Sequence, residues 1–180
     1  MKKRYPIRKH QKFAGYCISR KDLVTESTVA VDREIYYLIL DTINSAKKSV
    51  YLAQFQFSLD KKFFIGIPFH IYSSLKSRQA EGCAVKIILN RKFANIYQYA
   101  LNRRAHSLLN TAGLETKFAP GKTALHSKLI IVDDETAIIT SANLTISSLA
   151  DNHEVAVLVK SELVNKILSP YFFRLWESAS

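Results

Sequence analysis

The sequence predicts an α/β fold in a single domain, built as a central mixed β-sheet flanked by helices on both faces. Apolar residues recur at every second position in some segments and at every third or fourth position in others, and the two patterns alternate along the chain. Such alternation is typical of strands and helices arranged around one sheet. The chain has 180 residues, of which 48% are hydrophobic, enough to bury one sizeable core. We expect residues 31–180 to form the domain and residues 1–30 to be a basic, partly irregular extension.

The helices are predicted from apolar residues that share one helical face. They are expected over Asp32–Lys48, Phe69–Ala80, Ile96–Asn110 and Ser161–Glu177, with a short helical turn over Thr145–Ala150. Asp32 is the expected N-cap of the first helix, because its short side chain can accept a hydrogen bond from the first turn. Gly82 and Gly113 follow the second and third helices, at the position where glycine commonly ends a helix.

The strands are predicted from short apolar runs that are rich in β-branched and aromatic residues. They are expected over Val50–Phe57, Ala84–Leu89, Leu114–Phe118, Leu125–Val132, Thr136–Ser141 and Glu154–Val159. The polar pair Asp134 and Glu135 separates the fourth strand from the fifth, which is the pattern of a hairpin turn.

The charge balance of the chain is strongly basic. It has 26 Lys and Arg residues against 15 Asp and Glu residues, a formal net charge of +11. An excess of this size favours a polyanionic partner, either nucleic acid or an anionic membrane surface. The alternative is a charge that serves solubility alone.

The sequence also bears on compartment and bound groups. No uninterrupted run of about 18 apolar residues occurs, so no stable membrane insertion is expected. The basic N-terminal segment leads into no apolar stretch long enough for a signal peptide, which makes the cytoplasm the expected location. Cys17 and Cys83 lack the spacing of metal ligands and are expected to be reduced and buried. Neither a cofactor nor a metal ion is expected.

Four polar side chains within Leu125–Asn143 are spaced so that they can meet. His126 and Lys128 are two residues apart on a predicted strand, so both project from one face. Ser141 and Asn143 are likewise two apart, at the end of the next strand. If the two strands pair as a hairpin, an imidazole, an ammonium, a hydroxyl and an amide converge. Such a set suits a tetrahedral phosphate, with three donors for its oxygens and one nitrogen able to attack phosphorus.

These residues belong to a longer series with a recognisable spacing. Its members are His126, Lys128, Asp133, Thr140, Ser141 and Asn143, followed by Asn152 and Glu154. The series resembles the HKD motif of the phospholipase D superfamily, and in particular its small single-motif nucleases. Upstream, Ala53–Ser58 resembles the end of the first core strand in that family. The resemblance implies the phospholipase D/nuclease-like form of the α/β fold.

The resemblance also implies a reaction through a covalent phosphohistidine. In this family a histidine attacks the phosphorus of a phosphodiester, and a second histidine protonates the leaving oxygen and later activates water. A lysine supplies positive charge that other phosphodiesterases obtain from metal ions, so no metal is needed. His126 and Lys128 are therefore the expected catalytic residues, and Lys128, Ser141 and Asn143 are expected to bind the phosphate.

Three neighbouring residues have expected roles of their own. Glu154 is expected to be catalytic, with its carboxylate accepting a hydrogen bond from His126 Nδ1 and so fixing the tautomer; the alternative is a surface carboxylate. Asp133 lies on the opposite strand face from His126 and is expected to be structural or charge-balancing. The family usually has glycine where this chain has Thr140, which leaves the substrate preference open.

The chain carries one copy of the motif, whereas the implied reaction needs two histidines. Larger members of the family have two copies in one chain. We therefore expect a homodimer whose twofold axis passes through the active site, with each subunit contributing His126, Lys128, Ser141 and Asn143.

The leading hypothesis is a metal-independent phosphodiesterase, an endonuclease that hydrolyses DNA or RNA. The candidate contacts to backbone phosphates are Arg91, Lys92, Arg103, Arg104, Lys117 and Lys122. Tyr97 and Tyr99 are candidates for stacking on unpaired bases, with core packing as the alternative. Two other classes stay open: a phospholipid phosphodiesterase or phosphatidyltransferase that uses the same residues, and a catalytically silent nucleic-acid-binding module.

Overall fold

In the part of the chain that the structure describes, seven strands form a mixed β-sheet. The computed structural model describes residues 24–59, 66–121 and 123–180. Its strands are β1 (Val24–Val31), β2 (Ser49–Gln54), β3 (Ala84–Leu89), β4 (Glu115–Phe118), β5 (Lys128–Val132), β6 (Thr136–Thr140) and β7 (Val155–Ser161). Their order across the sheet is β1-β7-β6-β5-β2-β3-β4, with β2, β3 and β4 parallel and the other neighbours antiparallel. The mixed sheet confirms the predicted fold class.

Helices cover both faces of the sheet, as predicted. They are α1 (Glu34–Asn44), α2 (Ile67–Ala80), α3 (Ile96–Thr111), α4 (Ile146–Ala150) and α5 (Ser169–Ser178), the last preceded by a π-helical segment over Val164–Leu168. One core packs α1 to α4 against one sheet face, around Ile39, Leu75 and Leu109. The second core packs α5 against the other face, where Phe172 stacks on Tyr51 with ring centroids 5.1 Å apart. Burial on both faces explains why the central strands are apolar at nearly every position.

The hairpin predicted for the HKD-like segment is present, with Leu129 of β5 opposite Ile139 of β6. Asp133 and Asp134 form its turn with φ angles of 56° and 59°, a left-handed conformation that aspartate adopts more readily than most residues. Pairing in this register places the beginning of β5 beside the end of β6. The two halves of the motif are brought together by this hairpin.

The start of the first helix differs from the prediction. α1 begins at Glu34, and Asp32 does not cap it. Asp32 has a φ of 50°, and its carboxylate accepts a hydrogen bond from the backbone N–H of Glu154 at 2.9 Å. The capping prediction was wrong because the Asp32 carboxylate accepts a hydrogen bond from Glu154, which is distant in sequence, and not from the first turn of α1.

The edge strand β1 was not predicted as a strand. Residues 24–30, which sequence analysis placed in the extension, belong to β1 and pair with β7, where Val31 lies opposite Val155. Residues 26–29 are exposed, so this strand lacks the continuous apolar run by which the core strands were recognised. Residues 1–23 lie outside the described part of the chain.

Candidate active site

A pocket of about 440 Å³ opens where β5 begins and β6 ends. His126 precedes β5, Lys128 is the first residue of β5, and Ser141 follows β6. The two strands are therefore shorter than predicted, so that His126 and Ser141 flank strand ends rather than lie within strands. All three line the pocket, and its apolar wall is formed by Ile139, Leu168 and Tyr171. Three of the four residues predicted to meet share this cavity.

Asn143, the fourth residue, lies two positions after Ser141. Its Oδ1 is buried and has no hydrogen-bond partner among the described residues. A buried amide oxygen without a partner is uncommon because it forfeits its hydrogen bond to water. Its binding to phosphate stays a prediction.

Lys128 is a buried cation that remains available to a ligand. The residue is 9% exposed, and burial lowers the pKa of its ammonium, although the charge of Glu154 acts in the opposite direction. Nζ donates a hydrogen bond to the backbone oxygen of His126 at 3.0 Å and lies 5.1 Å from the ring centroid of Phe55. None of the ion pairs between described residues involves Lys128. A desolvated ammonium with spare donors is suited to bind a phosphate oxygen.

The imidazole of His126 is supported by one aromatic ring. The ring centroids of Phe55 and His126 are 4.7 Å apart. The backbone N–H of Phe55 donates to the oxygen of Ser127 at 3.1 Å, which holds the segment before β5 alongside the end of β2. His126 is otherwise exposed, so within the described part of the chain its ring is held at the pocket edge by the contact with Phe55.

The carboxylate of Glu154 is engaged by Ser141 rather than by His126. Ser141 Oγ donates to Glu154 Oε2, and the N–H of Val155 donates to Ser141 Oγ at 3.0 Å. The backbone of Glu154 is held by Asp32 through two hydrogen bonds of 2.9 Å. Between described residues of this single chain no hydrogen bond joins Glu154 to His126, so the expected tautomer-fixing contact is not formed. Ser141 is the partner of Glu154 because Ser141 follows β6, which is the direct neighbour of β7. His126 precedes β5, which lies one strand further from β7.

The side chain of Thr140 makes hydrogen bonds to backbone groups at the end of β6. Its Oγ1 donates to the backbone oxygen of Val155 at 3.0 Å and accepts from the N–H of Ala142 at 3.0 Å. A glycine at this position would leave both backbone groups without these partners. Thr140, which stands where the family usually has glycine, therefore stabilises the turn that carries Ser141.

Asp133 lies at the other end of β5 and binds backbone groups. Its carboxylate accepts hydrogen bonds from the N–H groups of Lys47, Lys48 and Ser49 at 3.0, 2.7 and 2.8 Å. Burial tends to raise the pKa of Asp133, but these hydrogen bonds together outweigh burial and lower it. The contacts favour the structural role that the sequence predicted.

Four of the candidate basic residues lie in elements connected to the pocket. Arg91 and Lys92 follow β3, and the neighbouring Asn90 accepts a hydrogen bond from the N–H of Leu125, the residue before His126, at 2.9 Å. The other two, Arg103 and Arg104, are exposed on α3. Their contact with nucleic acid stays a prediction.

Lys117, one of the candidate contacts to backbone phosphates, lies away from β5, the strand that begins at Lys128. It lies on the edge strand β4, separated from β5 by β3 and β2. Its Nζ donates to the backbone oxygen of Trp176 at 3.2 Å and lies 4.7 Å from the centroid of that ring. Lys122, another candidate contact to backbone phosphates, lies outside the described residues.

Two buried amides that bond to backbone segments before and after the strands near the pocket, Asn90 and Asn102, were not predicted from the sequence. Asn102, fully buried on α3, donates to the backbone oxygens of Phe55 and Asn90 at 2.9 Å each and accepts from the N–H of Phe57 at 3.0 Å. It therefore ties together the chain segments that leave β2 and β3. The signal in the sequence is an asparagine on the apolar face of the third helix, in line with Ala105 and Leu109.

Known proteins match this chain over most of the architecture just described. Residues 39–176 match a family model described as the cardiolipin synthase, phospholipase D-like domain. The chain belongs to the phospholipase D superfamily. It is 34% identical over 143 residues to a cardiolipin synthase of Alkalihalophilus pseudofirmus, an alignment covering 78% of this chain and 26% of that protein. This phospholipase D-like chain thus spans about a quarter of the length of that relative.

Two solved structures share the phospholipase D-like fold. Nuc from Salmonella typhimurium, a phospholipase D family member, is similar with a TM-score of 0.70 at 22% identity, over 86% of this chain and 97% of that one. NucT from Helicobacter pylori is similar with a TM-score of 0.67 at 20% identity, over 86% of this chain and 98% of that one. At these identities the likeness concerns the fold alone. The membership predicted from the HKD-like motif is confirmed.

Further properties of this phospholipase D-like chain concern metals, membranes and thiols. Within the described ranges no group of three or more His, Cys, Asp or Glu side chains is placed to hold a metal ion. No helix in the same ranges is both long and apolar enough to cross a bilayer. Cys83 is a buried free thiol, as predicted, and burial raises its pKa. Cys17 lies outside the described residues.

Proposed function

We propose that this chain is a metal-independent phosphodiesterase, an endonuclease that hydrolyses DNA or RNA through a covalent phosphohistidine at His126 in an active site shared across a homodimer. The observation that carries the proposal is the meeting of His126, Lys128 and Ser141 in one pocket. An imidazole nitrogen can bond to phosphorus, while an ammonium and a hydroxyl stabilise the charge on its oxygens.

The proposed reaction has two displacement steps. A ring nitrogen of His126 attacks the phosphorus, the bond to the leaving oxygen breaks, and His126 of the partner subunit donates a proton to that oxygen. Water then attacks the phosphohistidine, the same partner histidine takes a proton from the water, and the phosphorus–nitrogen bond breaks. The ammonium of Lys128 stabilises the charge on the non-bridging oxygens in both steps.

An exposed apolar surface beside the pocket supports the homodimer. It lies on the sheet face that packs on α5 and consists of Val29, Val31, Ile139 and Val155, each 49% to 67% exposed. The antiparallel registers place Val31 beside Val155, and Val157 between Val29 and Ile139, so we treat these residues as one apolar sheet patch. Ile139 also lines the pocket. Burying the patch against a second copy would bring a second His126 to the pocket edge.

Charge supports nucleic acid as the substrate. The chain has a net charge of +11, and Arg91 and Lys92 are fastened near His126 through the bond between Asn90 and Leu125. Phosphate contacts of this kind weaken as salt displaces them, so binding should weaken steeply with ionic strength.

The test is cleavage of end-labelled single-stranded and duplex DNA and RNA in excess EDTA at low salt. The wild type and His70→Ala, a matched variant of an exposed histidine on α2, should cut, and His126→Ala should not. A radiolabelled phosphate on the wild-type protein that is released by acid would identify the phosphohistidine. Cleavage by His126→Ala, or activity that requires Mg²⁺, would contradict the proposal.

The match to a cardiolipin synthase favours a second candidate, a phosphatidyltransferase or phospholipid phosphodiesterase. The same phosphohistidine would form on a phospholipid, and the hydroxyl of a second lipid, or water, would then attack it. Incubation with phosphatidylglycerol vesicles, followed by mass spectrometry of the lipids, tests this candidate. Lipid products in the absence of any nucleic-acid cleavage would replace the nuclease proposal.

A further inference from the structure

Two aromatic rings follow His126 in a series of ring contacts. The Phe55 ring lies 4.7 Å from the imidazole, and the Phe93 ring lies 4.9 Å from Phe55, measured between centroids. Both phenylalanines are half-buried, and Tyr97, four residues after Phe93 in the first turn of α3, is 65% exposed. We call Phe55, Phe93 and Tyr97 the aromatic wall.

The outer members of the wall have no part in the core. Neither Phe93 nor Tyr97 belongs to, or packs against, either of the two hydrophobic cores formed by described residues. Large aromatic side chains outside a core are a common feature of surfaces that bind ligands. Packing in these two cores therefore does not account for them.

The backbone that carries the wall is fixed by buried or capping amides. Asn90 Nδ2 donates to the oxygen of Lys92 at 2.7 Å, and Asn102 Nδ2 donates to the oxygen of Phe55 at 2.9 Å. Asn95 Oδ1 accepts a hydrogen bond from the N–H of Tyr97 at 2.7 Å, which caps α3. The rings are thus presented on a prepared framework, so that a flat ligand need not order it on binding.

We propose that the aromatic wall stacks unpaired nucleobases beside the scissile phosphate and so makes single-stranded nucleic acid the preferred substrate. The inference rests on the proposed nuclease function. With the phosphate at His126, the attached nucleoside lies next to Phe55 and its strand continues along Phe93 and Tyr97. A base must leave its partner to stack on a side chain, so duplex cannot use the wall without unpairing. The phosphodiester of a phospholipid carries no flat ring that would use it.

The test compares three substrates of equal length: a single strand, the same strand in a duplex, and a strand of abasic sugars. The variants are Phe93→Leu and Tyr97→Leu, with Tyr37→Leu as the control, because Tyr37 is an exposed tyrosine on α1 whose ring contacts Tyr36. Wild type should cut the single strand about tenfold faster than the other two. Each wall variant should lose about tenfold on the single strand and retain the wild-type rate on the abasic strand, whereas Tyr37→Leu should match wild type on all three.

The possible failures are distinguishable. A wild type that cuts none of the three substrates would overturn the nuclease proposal and this inference with it. A wild type that cuts single strand and duplex equally, or wall variants that match it on the single strand, would overturn the stacking inference alone. An equal loss on the abasic strand would also overturn it, because the wall would then serve the chemistry or the fold rather than the bases.

Discussion

Lys128 combines burial with positive charge, and these two properties act against each other in the folded protein. Burial lowers the pKa of the ammonium, and no described ion pair neutralises it. Because the folded-state pKa lies below that of the unfolded chain, folding is disfavoured by this residue at neutral pH. The penalty disappears as pH rises through the lowered pKa to the ordinary lysine range. A bound phosphate would compensate the same charge.

Replacing the ammonium should therefore separate activity from stability. We expect Lys128→Met to lower cleavage by about a hundredfold or more and to raise the free energy of unfolding at neutral pH by about 1 kcal/mol. Urea unfolding at pH 7 and above pH 10 checks this, since the gain should shrink at high pH. Lys76→Met, at an exposed lysine on α2, is the control for losing a charge. A Lys128→Met protein that is less stable than wild type at pH 7 would contradict the inference that the buried Lys128 ammonium disfavours folding.

The residues that sequence could identify are those whose meeting depends on local geometry. His126 and Lys128 are two positions apart, Ser141 and Asn143 likewise, and one hairpin brings the pairs together. Phe55 meets His126 only because β2 pairs with β5, a contact that no local spacing encodes. The same limit explains why the contact between Ser141 and Glu154 was not predicted, since it depends on which strand end lies nearest.

Among elements, the β5–β6 hairpin is fastened to the start of β2 by one carboxylate. Asp133 accepts hydrogen bonds from three successive backbone N–H groups, and its pKa is lowered once these outweigh the effect of burial. A lowered folded-state pKa means that the stabilisation is present above the ordinary carboxyl range and is lost as pH falls through the lowered value. The hairpin that forms the pocket thus depends on an ionised carboxylate.

Asp133→Asn should lower the free energy of unfolding at pH 7 by about 2 kcal/mol, because hydrogen bonds to a charged acceptor are replaced by weaker ones. The difference from wild type should diminish as the pH falls through the acidic range. Denaturant unfolding at several pH values measures both effects, with Asp41→Asn, at an exposed site on α1, as the control. A deficit that stays constant with pH would mean that the charge of Asp133 contributes nothing.

How well each element was predicted follows from where it lies in the sheet. β3 is buried over most of its length and matches its predicted bounds, Ala84–Leu89, because an apolar run bounded by turns has few alternative interpretations. The exposed edge strand β1 had no such run. The π-helical segment Val164–Leu168 interrupts what periodicity predicted as one helix, and it directly precedes α5, from which Tyr171 reaches the pocket. Such irregular turns are often found at functional sites, where local pattern is a poor guide.

On the whole-molecule scale, the sheet face that packs against α5 is covered over some strands and exposed over others. The second core packs α5 over β2, β3, β5 and part of β6, whereas the apolar sheet patch on β1, β6 and β7 is exposed. Water contact at such a patch is unfavourable in proportion to its apolar area. In the proposed homodimer, a second copy of the chain seated there would remove this area from water.

Placing a charge in the patch should therefore abolish pairing and activity together. We expect Ile139→Lys to sediment as a monomer and to lose cleavage by about a hundredfold, although His126 and Lys128 are unchanged. Ile146→Lys, at an exposed isoleucine on α4, should remain dimeric and active. An active monomer of Ile139→Lys would contradict both the interface and the shared site.

Mixed dimers allow a stricter test of the shared site. A dimer of one wild-type and one His126→Ala subunit holds one of the two histidines that the reaction requires, so excess His126→Ala should suppress wild-type activity after subunit exchange. The double variant His126→Ala with Ile139→Lys cannot pair and should leave wild-type activity unchanged. Suppression by both variants would mean that the inactive protein competes for nucleic acid instead, and pairing through the patch would not be the cause.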